Sequence, residues 1–353
     1  MTVAEPRDRP ARRFAFDDGL VFRDGGSGRV WLVRGEVAEA CSPLADGDVV
    51  ELLDEIDAAD RPTTDLAGRR WQAPGHAPAL DRLLSGNGAV LRVRVWDARL
   101  ARVLDRMLAP LATAGEPAST LDLVVRDGRA TTVVDGRIAQ DALGLGWWVL
   151  IRQLAKSLHP GRTWLGVLHA ATVIEGDQAI AIAGVSGSGK TTLAGALIAT
   201  GARLLADDAT PIEAGTRLVW PCPLAMGVKQ GGWRIFAARF ADFSESAPVH
   251  HGGRSIRYYP APRIALGRGY PVKALIFPTW SEGAPFSAEP LRPSEALSLL
   301  AASGMMPPDA DDGLADLLGW LGQVPAWRLR YSGLEDAVSF TRHLFRDAPA
   351  RAS

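Results

Sequence analysis

At 353 residues and 47% hydrophobic side chains, the chain can bury one large or two moderate cores and reads as a globular protein without repeats or low-complexity tracts. Its 39 basic and 40 acidic residues nearly cancel, which excludes a bulk charge bias toward nucleic acid or an acidic membrane surface. No stretch reaches the roughly 18 apolar residues of a membrane-crossing helix, MTVAEPRDRPARR lacks the apolar core of a signal peptide, and Cys41 and Cys222 have no metal-ligand or C-x-x-C spacing. A cytoplasmic protein is expected.

Residues 1–14 are expected to form a flexible N-terminus. RFAFDDGLVF, the turn signal DGGSG and RVWLVRG then predict a β-hairpin. Residues 46–58 follow as a helix, and 61–88 as a loop around a short helical piece near 80–84. AVLRVRVW alternates like a half-buried strand, and Asp97 caps a helix whose stripe is Leu100, Val103, Leu104 and Met107. GEPAS at 115–119 marks an internal linker. That divides the chain into an α+β region over 15–115, suited to partner or substrate recognition, and a main domain over 120–345. In the latter, TLDLVVRDGRATTVVDG reads as a hairpin, 141–158 as a long helix, and 167–184 as a second hairpin ending in AIAIAG.

That hairpin runs into GVSGSGKTT, where Gly184, Gly189, Lys190 and Thr191 fit the phosphate-loop pattern G-x-x-x-x-G-K-[ST]. Glycines at 184, 187 and 189 let successive backbone N–H groups turn inward around an anion. The binding set is Gly184, Ser186, Gly187, Ser188, Gly189, Lys190, Thr191 and Thr192. Lys190 adds a charge for the outer phosphates, Thr191 offers a hydroxyl to Mg²⁺, and the helix dipole points at the site. Leu193, Ala194, Leu197 and Ile198 bury that helix, and Gly201 ends it.

Asp207 and Asp208 close the next strand, 202–206. One of these carboxylates can hold Mg²⁺ while the other accepts a proton from an attacking hydroxyl. His169, on the apolar strand before the loop, is ambiguous on its own, since a lone histidine there is usually a satisfied core residue.

LHAATVIEGDQAIAIAGVSGSGKTTLAGALIATGARLLADD resembles the catalytic domain of HPr kinase/phosphorylase, in which a histidine opens the hairpin, the phosphate loop follows and Ala-Asp-Asp closes the next strand. A looser similarity continues through PCPLAMGVKQGGW and VKALIFPTWSEGAPFSAEPLRPSEALSLLA, about half the chain in all. The resemblance implies ATP and Mg²⁺ as cofactors, Asp207 as base, Asp208 with Thr191 at the metal, His169 tuning the aspartates, and Lys190 on the phosphates. It implies an α/β fold: a mixed-sheet P-loop domain of the HPr kinase/PEP carboxykinase type, preceded by a smaller α+β N-terminal domain. No counterpart of the family's E-[IV]-R-G signature follows the aspartates. Some relatives with this departure are tailoring kinases for ribosomally made peptides.

Lys229, in a glycine-rich setting after a Pro-x-Pro turn, is a candidate for reaching nucleotide or acceptor. Residues 244–270 show no sustained period and are expected to be a lid whose Arg254 and Arg257 meet phosphate or an acidic peptide. VKALIFP at 272–278 reads as a strand, 293–302 as a helix, DADDG at 309–313 as a helix start, and WRLRYSGLEDAVSFTRHLF as a strand and closing helix. The expected function is a kinase acting on a hydroxyl, foremost a serine of a protein or peptide acceptor. Nucleic acid and membrane are not expected as partners, and a homo-oligomer is compatible with the sequence. A small-metabolite kinase and a nucleotide-dependent regulator or ATPase are the alternatives.

Overall fold

A computed structural model describes residues 12–16, 19–23, 30–34, 68–86, 88–126, 129–143, 147–251, 254–305 and 313–346. The expectations for 46–58, for the turn at 127–128 and for 309–312 lie outside these residues.

Strands β1 (Arg12–Phe16), β2 (Gly19–Arg23) and β3 (Val30–Arg34) form an antiparallel sheet in that order. The first strand of the expected hairpin is therefore two, on either side of an acidic pair that interrupts the apolar run, and β1 starts inside the expected flexible N-terminus.

Next come β4 (Leu80–Ser85), β5 (Val90–Val95), α1 (Ala98–Met107), β6 (Ser119–Arg126), β7 (Arg129–Val134), β8 (Arg137–Leu143) and α2 (Trp147–Ser157). The five strands make one sheet in chain order, with β5 and β6 parallel and α1 as their crossover. Asp97 caps α1 by accepting from the backbone N–H groups of Arg99 and Leu100, both at 2.9 Å. Across β5 and β6, Arg94 grips the buried carboxylate of Asp122 through two bonds of 2.7 Å.

This sheet corrects three expectations. Residues 80–84 are strand, not helix: Leu80 and Leu84 are four apart, a spacing that suits both periods, and pairing with β5 decides between them. GEPAS at 115–119 is a loop within one sheet, since β6 lies beside β5, so the break placed between 115 and 120 falls inside a folded unit. Residues 141–143 belong to β8, so the helix expected from 141 starts only at Trp147.

The rest of the chain runs β9 (Trp164–Leu168), β10 (Ala170–Glu175), β11 (Gln178–Ala183), α3 (Lys190–Ala199), β12 (Arg203–Ala206), β13 (Thr210–Glu213), β14 (Met226–Lys229), α4 (Trp233–Ala237), β15 (Val249–His251) and β16 (Arg254–Tyr259). It ends with β17 (Val272–Trp280), β18 (Ser287–Leu291), α5 (Pro293–Ser303), α6 (Gly313–Leu321), β19 (Ala326–Tyr331) and α7 (Leu334–Arg346). Six strands form a mixed sheet in the order β12-β10-β11-β17-β19-β18. Strands β12, β11, β17 and β19 point one way, β10 and β18 the other. The fold is α/β with mixed sheets.

The alternation in QAIAIA divides two cores. Ile180 and Ile182 pack with Leu193, Leu197 and Ile198 of α3, while Ala179, Ala181 and Ala183 face the side covered by α5 and α6. Each fully buried Leu or Ile contributes about 1.5–3 kcal/mol, so this packing fixes the helix that starts with Lys190. A third core joins the five-stranded sheet to the segments behind the site through Ala206, Ala209, Cys222 and Leu224. No helix among the described residues is long and apolar enough to cross a membrane.

Two predictions follow from this packing. At Gly195 a Cβ would fall 2.4 Å from the Phe236 ring. Gly195→Ala should therefore lower the unfolding free energy by up to about 2 kcal/mol, because an overpacking cost of about 1–3 kcal/mol is only partly offset by a helix gain of about 1 kcal/mol; urea titration reads this.

His159 sits edge-on between Trp164 and Trp220, with Nε2 2.8 Å from the Pro221 carbonyl. Burial lowers its pKa from 6.5 to about 4. The unfolded chain thus takes up a proton below pH 6.5 that the folded chain refuses until about pH 4. Wild type should lose up to about 3 kcal/mol relative to His159→Gln as pH falls through that window, measured by urea unfolding of both proteins.

Candidate functional site

Because β11, β12, β17 and β19 point the same way, their C-terminal ends share one edge of the sheet, and β10, running oppositely, starts there. A cavity of about 710 Å³ opens at this edge.

The phosphate-loop sequence leaves β11 and turns into α3. Gly184, Gly187 and Gly189 have φ of 139°, 97° and 107°, the left-handed region that other residues avoid. Lys190 folds its ammonium onto the loop, donating to the carbonyls of Gly184 at 2.6 Å and Val185 at 3.2 Å. Its pKa is lowered, chiefly by burial, against the opposing pull of Asp208 and Asp207. Ser186, Gly187, Gly189, Lys190, Thr191 and Thr192 all line the cavity. Gly184 stands at the base of the loop, and the Ser188 hydroxyl is buried with no hydrogen-bond partner among the described residues.

The acidic pair ends β12. Asp207 is 1% exposed, and its Oδ2 accepts from the Gly227 backbone N–H at 3.2 Å. Asp208 adopts a left-handed φ of 66°, and the Ala209 N–H closes the turn on the Asp207 carbonyl at 2.9 Å. This kink sends two adjacent carboxylates different ways: Asp208 lines the cavity and Asp207 does not. Burial, then the charge of Asp208, pushes the Asp207 pKa well above the ordinary carboxylate value. The same burial and charges push the Cys222 thiol up to about 12, consistent with a buried and unreactive side chain.

His169 occupies the break between β9 and β10. Its Nδ1 lies 2.6 Å from the Ser303 carbonyl at the end of α5; a carbonyl only accepts, so Nδ1 carries the hydrogen. Nε2 then faces Asp208 Oδ1 at 3.6 Å. The structure thus brings His169 beside Asp208, and both into the cavity that the loop lines.

Strands β14, β16 and β15 form a small antiparallel sheet over this cavity. It corrects the expectation of an irregular lid over 244–270. Alternation along β16 turns Arg254, Ile256 and Tyr258 toward the cavity and Arg257 away. Arg257 instead donates to the carbonyls of Ser244 at 2.7 Å and Ser246 at 2.6 Å and lies over the Trp233 ring, so it is a structural residue here. Lys229 and Arg254 both donate to the Ser186 hydroxyl, Arg254 at 3.1 Å.

Trp280 and Tyr331 are among the lining residues that escaped the sequence reading. Trp280 lies beyond Pro278, where the strand was expected to end. Strand β17 continues because its pairing with β11 stops at Ile276, and an edge tolerates a residue without an N–H. Tyr331 ends β19, with its hydroxyl buried against Gly189 and without a hydrogen-bond partner among the described residues. The only signal for either was an aromatic residue at the end of a strand pattern. Among models of known protein families none matches this chain, and no curated protein matches it.

Asp207 supplies the test of this electrostatic arrangement. A folded-state pKa above the unfolded value means stability that is complete below about pH 4 and is lost as pH rises through the folded pKa. Asp207→Asn lacks that loss. The variant should exceed wild type in unfolding free energy at neutral pH by about 0.5–2 kcal/mol, with the gap closing toward acid, in denaturant titrations without divalent metal.

Proposed function

We propose that the protein is an ATP- and Mg²⁺-dependent kinase of the HPr-kinase-like class, with the mixed-sheet P-loop fold of the HPr kinase/PEP carboxykinase type. Its acceptor is the hydroxyl of a serine in a protein or ribosomally made peptide. The observation that carries this reading is a single cavity holding a glycine loop with Lys190 and Thr191 on one wall and the Asp208–His169 pair on another.

The residues present fit Mg²⁺. Thr191 lines the cavity and its hydroxyl would hold the ion, which keeps water and phosphate oxygens and needs only one or two protein ligands. When bound, the metal neutralises charge on the outer phosphate oxygens.

Transfer forms a bond from the acceptor oxygen to the γ-phosphorus and breaks the one from that phosphorus to the β–γ bridging oxygen, which leaves with its electron pair on ADP. The acceptor proton passes to a carboxylate. Asp208 is the carboxylate open to the cavity, so we assign it this role, with His169 holding its orientation through the Ser303 carbonyl. Asp207, the base suggested by the resemblance, sits behind it as the inner charge. Lys190, Lys229 and Arg254 converge on the loop from three elements and face the transferring group.

Mass spectrometry of candidate acceptors encoded by neighbouring genes, after incubation with protein and ATP·Mg²⁺, tests the proposal. One phosphoryl group should appear on a serine, about 10²–10⁴ times more slowly with Asp208→Asn and less severely impaired with Asp207→Asn. Steady phosphate release with no acceptor modified would replace the kinase by an ATPase. Transfer that survives in Asp208→Asn would move the base elsewhere.

A further inference from the structure

The proposed chemistry uses one side of the phosphate loop, where β10 and β12 bring His169 and Asp208. On the other side, β17 and β19 end in Trp280 and Tyr331, for which phosphoryl transfer has no task. Trp280 is 55% exposed and Val185, in the loop itself, is 56% exposed. Both large apolar side chains line the same cavity.

The Trp280 ring is held rather than loose. Its indole N–H donates to the Ser332 carbonyl at 3.2 Å, and its backbone N–H donates to the Ser188 carbonyl within the loop at 3.3 Å. Its polar edge is spent on the protein, which leaves the π face for a ligand. Beside it the hydroxyls of Tyr331 and Ser188 are buried without partners among the described residues, and the Tyr331 oxygen lies 2.9 Å from where a Cβ on Gly189 would stand.

A triphosphate seated in the loop with its transferring end at Asp208 must leave by the opposite side. We infer that Trp280 is the platform on which the nucleobase stacks, and that this platform prefers purines without choosing between adenine and guanine. A purine offers the larger stacking surface. Trp280, Tyr331, Ser332 and Leu334 at this end present few groups able to read the hydrogen-bonding edge of a base. The inference rests on the nucleotide reading of the loop and adds which nucleotides enter.

Calorimetric titration of the full chain with ATP, GTP, CTP and inorganic tripolyphosphate, each with Mg²⁺, tests it. Wild type should bind ATP and GTP alike, CTP more weakly, and tripolyphosphate about tenfold or more weakly than ATP. Trp280→Ala should erase that gap and leave tripolyphosphate affinity unchanged, while Trp280→Phe keeps most of it. If wild type binds tripolyphosphate as tightly as ATP, the platform falls and the phosphate site stands. Equal losses for ATP and tripolyphosphate in Trp280→Ala would make the ring a prop for the loop. If wild type binds neither, the nucleotide reading itself fails and this inference with it.

Discussion

Strand β11 is buried on both faces and hydrogen-bonded on both sides, by β10 and by β17. Its last residue therefore has nowhere to move. The loop that follows departs from a fixed point, and α3, seated on Ile180 and Ile182, receives it at another. Between two such anchors a short chain with three left-handed glycines has little freedom left. Its inward N–H groups are set by packing distant from any ligand, so the site is organised before anything binds.

Charge is what this rigid frame has to tolerate. Asp207 is almost completely buried beside a second carboxylate, and the groups that moderate it are the backbone N–H groups of Gly227 and Asp208 and the charge of Lys190. Asp208 adds a left-handed backbone conformation, rare for a side-chain-bearing residue but more accessible to aspartate than to most. Strain and like charge gathered at one turn are expensive for stability. The three surrounding cores are large enough to hold the turn in place.

Much of this frame was legible because it is local. From 170 to 206 the period changes from two to 3.6 and back, each element is bounded by glycine or a polar turn, and each packs on its sequence neighbour. Position within the canopy was not legible. RSIRYY mixes charge and aromatics without a clear apolar face, and pairing with β14, well upstream in sequence, reveals which side each residue takes. Arg254 and Arg257 look alike in the sequence, yet the alternation of a strand separates a cavity lining from a carbonyl cap. The break assigned to GEPAS failed for a related reason: a Pro-Gly-rich loop joins strands of one sheet as readily as it joins domains, and composition does not distinguish them.

The hairpin of β10 and β11 brings one more consequence. Because the partner of β11 is antiparallel and directly precedes it, His169, the phosphate loop and both aspartates lie within one unbroken stretch from 169 to 208. Closing such short loops costs little chain entropy, so this half of the cavity can assemble from its own neighbours early in folding. Trp280 and Tyr331 reach the same edge only after β17 and β19 have docked from far along the chain. The two halves are thus separable units of inheritance: substitutions or exchanged segments in the late-arriving strands can alter what the cavity admits while the early one keeps its geometry.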